Sequence, residues 1–280
     1  MVFMTHPILA VFAFTGDHTN KIIENAVSER MTGNTVLQKL SSLGLEKKDS
    51  PHHIGLKRAS VLVPLFERDS SDDKQVGARE CSSNLHVLFT QRPTKMSSHG
   101  GEVCFPGGRQ DEEDNGDDVV TATREAFEEV GLHPQYVEII GRMESIESKH
   151  SLCVTPIIGI VRPPNKAEPS NLTLNADEVE AVFAVPLAYF ANPVNCVSQT
   201  RIKYGSRKDF VIRTYIFDDV STGRQFRIWG LTAHIVHAVA QIAFKKELSQ
   251  ASSIEYEMTV NESAEVIEET WDEQDEKEIT

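Results

Sequence analysis

Cysteine is scarce in this chain. Cys81, Cys104, Cys153 and Cys196 are spread far apart over 280 residues and form no C-x-x-C pair. This sets aside a disulfide framework and predicts buried free thiols in a reducing, intracellular setting, cytoplasmic by default. Basic residues are outnumbered, with 28 Lys and Arg against 42 Asp and Glu, and no long basic stripe appears. Affinity for nucleic-acid phosphates is therefore not expected. Long apolar runs are missing too. The opening "HPILAVFAFTG" is too short to span a bilayer, and no basic segment precedes it, so neither a membrane span nor a secretory signal is expected. The end "EIT" is not a tripeptide of the S-K-L type. No internal repeat is visible.

What is present is an ordinary globular composition, 40% hydrophobic and 25% charged in 31.2 kDa, ample for one good core. The net charge of -14 is unevenly placed: residues 251–280 hold eleven Asp and Glu against one Lys. Such a stretch buries little and reads as an acidic disordered tail. Residues 1–54 read as a loosely attached, partly helical extension, with a helix possible over 20–45. Between them, residues 55–250 alternate strand-like runs such as "ASVLVPLF" and "LHVLFT" with two long helices, 117–130 and 231–248. "FVIRTYIF" and "RQFRIWG" read as a hairpin around "DDVSTG". This order predicts an α/β domain, a layered α/β/α sandwich around a mixed sheet.

The first helix carries "REAFEEVG" at 124–131. Glu125, Glu128 and Glu129 fall on one side of it, where like charges cost a few tenths of a kcal/mol per pair, about 0.2–0.5. Ala122, Ala126 and Val130 are left to pack, and Gly131 reads as the stop. A hard divalent cation would turn the repulsion into binding energy, commonly by joining carboxylates to substrate phosphates. The plainer alternative is a solvated acidic face.

Upstream stands "FPGGRQDEEDNGDD", whose Gly107 and Gly108 allow close approach of backbone to a ligand. A glycine loop, an acidic run and R-E-x-x-E-E-x-G together resemble the Nudix hydrolase box, G-x5-E-x7-R-E-U-x-E-E-x-G-U, where U is apolar. Gly108, Arg124, Glu125, Glu128, Glu129, Gly131 and Leu132 fit it. The span from Gly108 to Arg124 is two residues longer than the pattern, and its first acidic position is Asp114. "LFTQRPTKMSSHGGEVCFPGG" is similar to the signature of the coenzyme A diphosphatase branch, matching at Leu88, Thr90, Arg92, Gly101, Phe105, Pro106, Gly107 and Gly108. Ser97 stands where that signature has its second arginine, with Lys95 or His99 as possible substitutes.

The resemblance covers roughly residues 57–248. It implies a Nudix fold and cleavage of the diphosphate of coenzyme A or acyl-CoA, dependent on Mg2+ or Mn2+. Glu125, Glu128 and Glu129 would hold metal, and Glu178 is a candidate distal ligand or base, or else a surface carboxylate. Glu128, Glu129 and Arg124 would carry catalysis, with Arg124 bracing Glu128. Arg92, Lys95, Gly107 and Gly108 would bind substrate. Animal members of the branch are peroxisomal or mitochondrial. Alternatives are a Nudix hydrolase of another nucleoside diphosphate derivative, such as ADP-ribose or a dinucleotide, and a non-catalytic nucleotide sensor. Among the remaining candidates, His234 and His237 read as packing histidines, and His52 and His53 as part of a polar linker. Trp229 and Phe105 read as core. Asp111, Glu112, Glu113, Asp114, Asp117 and Asp118 read as a solvated acidic loop, with Asp114 a candidate for a place near the metal.

Overall fold

Alternating apolar side chains make β1 (Lys57–Glu67) the middle of the molecule. Leu62 and Phe66 point to one face, while Val63 and Leu65 point to the other. β2 (Leu85–Gln91) divides the same way, Leu88 against Leu85, Val87 and Phe89. Period-two alternation with both faces apolar is what a strand covered on both sides requires. The computed structural model describes residues 36–44, 56–68, 84–96, 99–148, 152–202 and 210–259.

β7 (Leu152–Val161) runs parallel to β1 along almost its whole length, from Lys57 opposite Leu152 to Leu65 opposite Ile160. On its other edge β1 has two partners. β2 pairs antiparallel with only its last residues, 65–67. β4 (Gly107–Arg109) pairs with residues 59–61. Meanwhile β3 (Val103–Cys104) stays on β2, opposite Thr90 and Gln91. The short segment 103–109 therefore crosses a gap where β1 and β2 splay apart. Pro64 sits at that gap, between the stretches paired with β4 and β2. The Leu62 N–H on the same edge donates to the Pro106 carbonyl at 2.8 Å, so the N–H that Pro64 lacks is one for which no strand stands opposite. A proline is tolerated there in an otherwise central strand.

β5 (Val137–Arg142) and β6 (Ile146–Glu147) extend the sheet beyond β7, and β8 (Ala181–Pro186) extends it beyond β2. The result is an eight-stranded mixed sheet. Helix α2 (Asp118–Val130) covers one face, laying Ala122, Ala126 and Val130 on Leu62, Phe66, Leu88, Ile157 and Val161. The other face carries a short helix α1 (36–41), the long α3 (Gly230–Thr259) and a three-stranded antiparallel sheet of β9 (Cys196–Ile202), β10 (Phe210–Asp219) and β11 (Arg224–Trp229). Phe226 of β11 stacks on Phe183 of β8 with ring centroids 3.7 Å apart, joining the two sheets. The expected mixed sheet between helical layers is present, and the β10–β11 hairpin falls where the turn residues place it.

Several expectations change. α3 continues to Thr259, past the expected end at Leu248 and into the stretch read as tail; residues 260–280 lie outside the described set, as do 1–35, Cys81, His52 and His53. β9 was not legible. The extension is not loose where it is described: Val36 and Leu40 are buried in the main core. The Arg142 N–H also donates to the Gly44 carbonyl at 2.9 Å. Asp118, expected in solvent, is 1% exposed. It accepts from Arg58 at 3.0 Å, from the Ser60 hydroxyl at 3.1 Å and from Arg142. A buried carboxylate needs such partners, and these tie the first turn of α2 to β1 and β5.

Leu40→Ala removes a fully buried side chain from α1 and should lower unfolding free energy by about 2–4 kcal/mol. A urea midpoint equal to wild type would show that α1 contributes nothing to the fold.

Candidate active site

α2 begins where the Asp117 side chain accepts the Val119 N–H at 2.8 Å. It ends at Gly131, whose φ of 71° is a left-handed value that glycine adopts without strain. The N–H groups of Gly131 and Leu132 return to the carbonyls of Phe127 at 2.9 Å and Ala126 at 3.3 Å, the first being the bond of a left-handed helix cap. Two of the last carbonyls, orphaned at a helix end, are taken by a distant segment. Glu129 O accepts from Asn175 N at 2.9 Å and Val130 O from Thr173 N at 3.1 Å. That docking carries Glu178 to the helix. Carboxylate oxygens of Glu125, Glu129 and Glu178 lie within 4.8 Å of one another.

β4 lies against the same carboxylates. A β-carbon on Gly108 would stand 2.4 Å from the Glu125 carboxyl group and would displace it. The Gly107 N–H donates to Glu129 at 3.3 Å. Glu129 is 2% exposed. Burial, reinforced by the charge of Glu125, pushes its pKa up to about 8, while the Gly107 N–H and the Arg92 guanidinium pull the other way. Burial also raises Glu125, against the pull of Arg124. A set of three carboxylates, two of them raised, beside a glycine strand fits a hard divalent cation with oxygen ligands.

Arg124 organises the rim. Its Nε and Nη2 grip Asp114 with both bonds at 2.9 Å, Nη1 reaches Glu125 at 3.1 Å and Glu128 at 3.0 Å, and Nη2 also donates to the Arg109 carbonyl at 3.2 Å. The expected brace between Arg124 and Glu128 is there. Glu128, however, lies outside the group of three, with its side chain 50% exposed. Asp114 is neither solvated nor part of that group. It is 1% exposed, accepts the Thr121 hydroxyl and the Asp111 N–H, each at 2.9 Å, and is held well below the usual carboxylate range chiefly by Arg124. The loop contains a 3-10 turn, Glu112–Asp114, and the Asp114 at its end meets the guanidinium.

Arg92 is half-buried at the base of a loop closed by Arg92 N to Glu102 O at 2.9 Å and Gly101 N to Arg92 O at 3.1 Å. Lys95 is exposed on that loop, and His99 pairs with Glu102 at 2.8 Å. Ser97 lies outside the described residues. Cys104, beside the glycines, is a neutral thiol: burial pushes it up to about 11. His237 is a packing residue, its Nδ1 2.9 Å from the Tyr215 hydroxyl. Phe105 is core, but Trp229 is 37% exposed. In β11 the inward positions are Phe226 and Ile228, so Trp229 faces out, with Arg227 over its ring at 5.1 Å. Thr173 and Asn175, which help place the carboxylates, carry no local sequence signal, because their partners are elsewhere in the chain.

A carboxylate group built from a glycine strand and the R-E-x-x-E-E-x-G helix defines the class, and a NUDIX domain matches residues 73–195. The chain belongs to the Nudix hydrolase family. It is 37% identical over 206 residues to the peroxisomal coenzyme A diphosphatase NUDT7 of Mus musculus, covering 74% of this chain and 78% of that protein. It is 40% identical over 196 residues to the mitochondrial Nudix hydrolase 15 of Arabidopsis thaliana, covering 70% of this chain and 62% of the relative. The chloroplastic Nudix hydrolase 22 of the same plant is 34% identical over 207 residues, again with 62% of its length covered. The chain thus spans less than two thirds of both plant relatives. Among the described residues, no helix is long and apolar enough to cross a membrane.

The raised Glu129 sets a pH dependence. Its folded value is about 8 against an ordinary 4.5, so its favourable contribution is complete below 4.5 and is lost as pH rises through 8. Glu129→Gln keeps the shape and the acceptor without the charge. In chelator-treated protein the variant should gain in Tm over wild type as pH rises across that window and level off above it. Mg2+ or Mn2+ should raise the Tm of wild type and not of the variant. Equal Tm values at all pH values, with and without metal, would remove the case for a strained carboxylate group awaiting a cation.

Proposed function

We propose that this chain is a divalent-metal-dependent diphosphatase that cleaves the diphosphate of coenzyme A or acyl-CoA, giving a 4′-phosphopantetheine species and adenosine 3′,5′-bisphosphate. The convergence of Glu125, Glu129 and Glu178 on one point facing Gly107 and Gly108 carries the reading. The similarity to the mouse coenzyme A diphosphatase supports the substrate class.

Glu125, Glu129 and Glu178 would hold Mg2+ or Mn2+. When bound, the metal neutralises phosphate charge and acidifies water for attack on phosphorus. The chain's own residues supply the rest. Gly107 and Gly108 present backbone without side chains, so a diphosphate can lie close to the carboxylates. Arg124 is a positioning residue, its guanidinium engaged by Asp114, Glu125, Glu128 and the Arg109 carbonyl. It keeps Glu125 turned toward the site and Glu128 at the rim, where it stands ready as a further carboxylate. Arg92 offers a planar fork to a phosphate, a geometry lysine does not reproduce. Lys95 adds charge on the loop beyond it.

A substrate panel with product identification tests this directly. Coenzyme A should yield adenosine 3′,5′-bisphosphate in the presence of Mg2+ or Mn2+, and Glu129→Gln should lower kcat by about two orders of magnitude or more. Wild-type turnover in that variant would overturn the metal assignment. Preferential cleavage of ADP-ribose or a dinucleotide would move the substrate to another nucleoside diphosphate derivative.

The 3′-phosphate separates these substrates further. Losing a charged hydrogen-bonded partner costs about 1.5–3 kcal/mol. Coenzyme A should therefore exceed dephospho-CoA in kcat/KM by about one to two orders of magnitude, and Arg92→Ala should shrink that ratio. Equal efficiencies that Arg92→Ala leaves unchanged would exclude a grip on the 3′-phosphate.

A further inference from the structure

Apart from the carboxylates, one polar cluster joins three separate chain segments, and the chemistry above makes no use of it. Arg224, the first residue of β11, donates from Nη2 to Gln91 Oε1 at 2.7 Å and to Glu180 Oε1 at 3.2 Å. The other oxygen of Glu180 accepts the Thr94 N–H at 2.9 Å. Gln91 Nε2 donates to the Gly101 carbonyl at 3.0 Å, and the Glu180 N–H donates to the Gln91 carbonyl at 2.8 Å. The loop from Arg92 to Gly101 is thus held near one end by Glu180 and at the other by Gln91, and Arg224 links the two holders. The guanidinium rests 5.3 Å over the Phe226 ring. That ring belongs to the stacked pair that joins the two sheets, so the clamp has a firm base. The Thr94 N–H, with help from Arg224, also holds Glu180 below its ordinary carboxylate range.

Both ends of this arrangement lead to the site. Arg92 and Lys95 ride on the clamped loop, while Glu178 stands two residues before Glu180 on the segment that clamps it. We propose that Arg224 is a positioning residue for substrate binding: through Glu180 and Gln91 it sets the loop bearing Arg92 against the segment bearing Glu178. The inference rests on reading that loop as the grip on the substrate's phosphates.

The physical consequence is specific. Arg224 and Glu180 are partly exposed, and such pairs add little to global stability. A loop already ordered spends less binding energy on ordering itself. Releasing it should therefore cost affinity and leave the chemical step alone, which appears as a higher KM at constant kcat. Lysine at position 224 retains a charge and several donors, so it should restore part of the clamp.

The test compares wild type, Arg224→Ala and Arg224→Lys by steady-state kinetics on coenzyme A with Mg2+, and by hydrogen exchange over residues 92–101. Arg224→Ala should raise KM about fivefold or more with kcat within about twofold. It should speed exchange at Thr94 and its neighbours without lowering Tm, and Arg224→Lys should recover part of both effects. An unchanged KM, or a fall in kcat at constant KM, would overturn the role in binding. Unchanged exchange would overturn the clamp itself. If wild type does not cleave coenzyme A, the substrate reading fails separately. The clamp is then judged by exchange and by KM on whichever diphosphate in the panel is turned over.

Discussion

The organisation of this molecule depends on the crossing of residues 103–109 between two strands that splay apart. β3 remains bonded to β2, and β4 has already joined β1. A chain making that crossing must lie flat under whatever covers the sheet, and α2 is what covers it. The glycines follow from this constraint. At Gly108 a single added carbon would collide with the Glu125 carboxyl group, so the carboxylate keeps its present place because the strand has no side chain there. The same closeness delivers the Gly107 N–H to Glu129. Pro64 in the middle of β1 marks the same gap from the other side.

Setting carboxylates in such a place works against stability. Glu129 is taken out of water beside Glu125 with one backbone donor, and its acidity is weakened accordingly. The surrounding frame holds the arrangement regardless. Asp118 ties the start of α2 to Arg58 and Arg142, Asp114 locks Arg124 at its rim, and the carbonyls at its C-terminal end are bonded to the 173–175 segment. The bonds of Asp118 and Asp114 are charge-assisted and have several simultaneous partners, and such bonds are stronger than single neutral ones; those to the 173–175 segment are backbone bonds that satisfy orphaned carbonyls. Site strain and frame rigidity are therefore complementary: a loose helix would let the carboxylates move into solvent, and the repulsion that favours a cation would vanish.

Local patterns were readable because their physics is local. The α2 helix announces itself by its apolar spacing and its Gly131 stop. The paired apolar strands declare two covered faces, and the i, i+4 spacing of Arg124 and Glu128 leads to contact. Less local features were not. Asp118 sits in a run of acids that looks uniformly solvated, yet it is buried against Arg58 and Arg142. Asp114 looked like a candidate near the metal, but the folded loop turns it to Arg124. Val36 and Leu40 occupy a short helix whose docking depends on β5 and α3, and Trp229 was assigned to the core on its size alone when strand alternation turns it outward.

The sequence by itself determined the helix, the acidic motif, the glycines beside it and the presence of a mixed sheet between helical layers. These arise from propensities, caps and periodicities that act over a few residues. That those glycines form a strand came from the structure. Only the tertiary structure decided which carboxylates meet. The helical period puts Glu125, Glu128 and Glu129 on one side, but the seating of Ala122, Ala126 and Val130 on the sheet rotates Glu125 and Glu129 toward β4 and leaves Glu128 at the rim. Glu178 joins them because Thr173 and Asn175 bond to carbonyls that the end of α2 leaves unpaired. No spacing along the chain encodes that meeting; it follows from two distant segments satisfying each other's backbone groups.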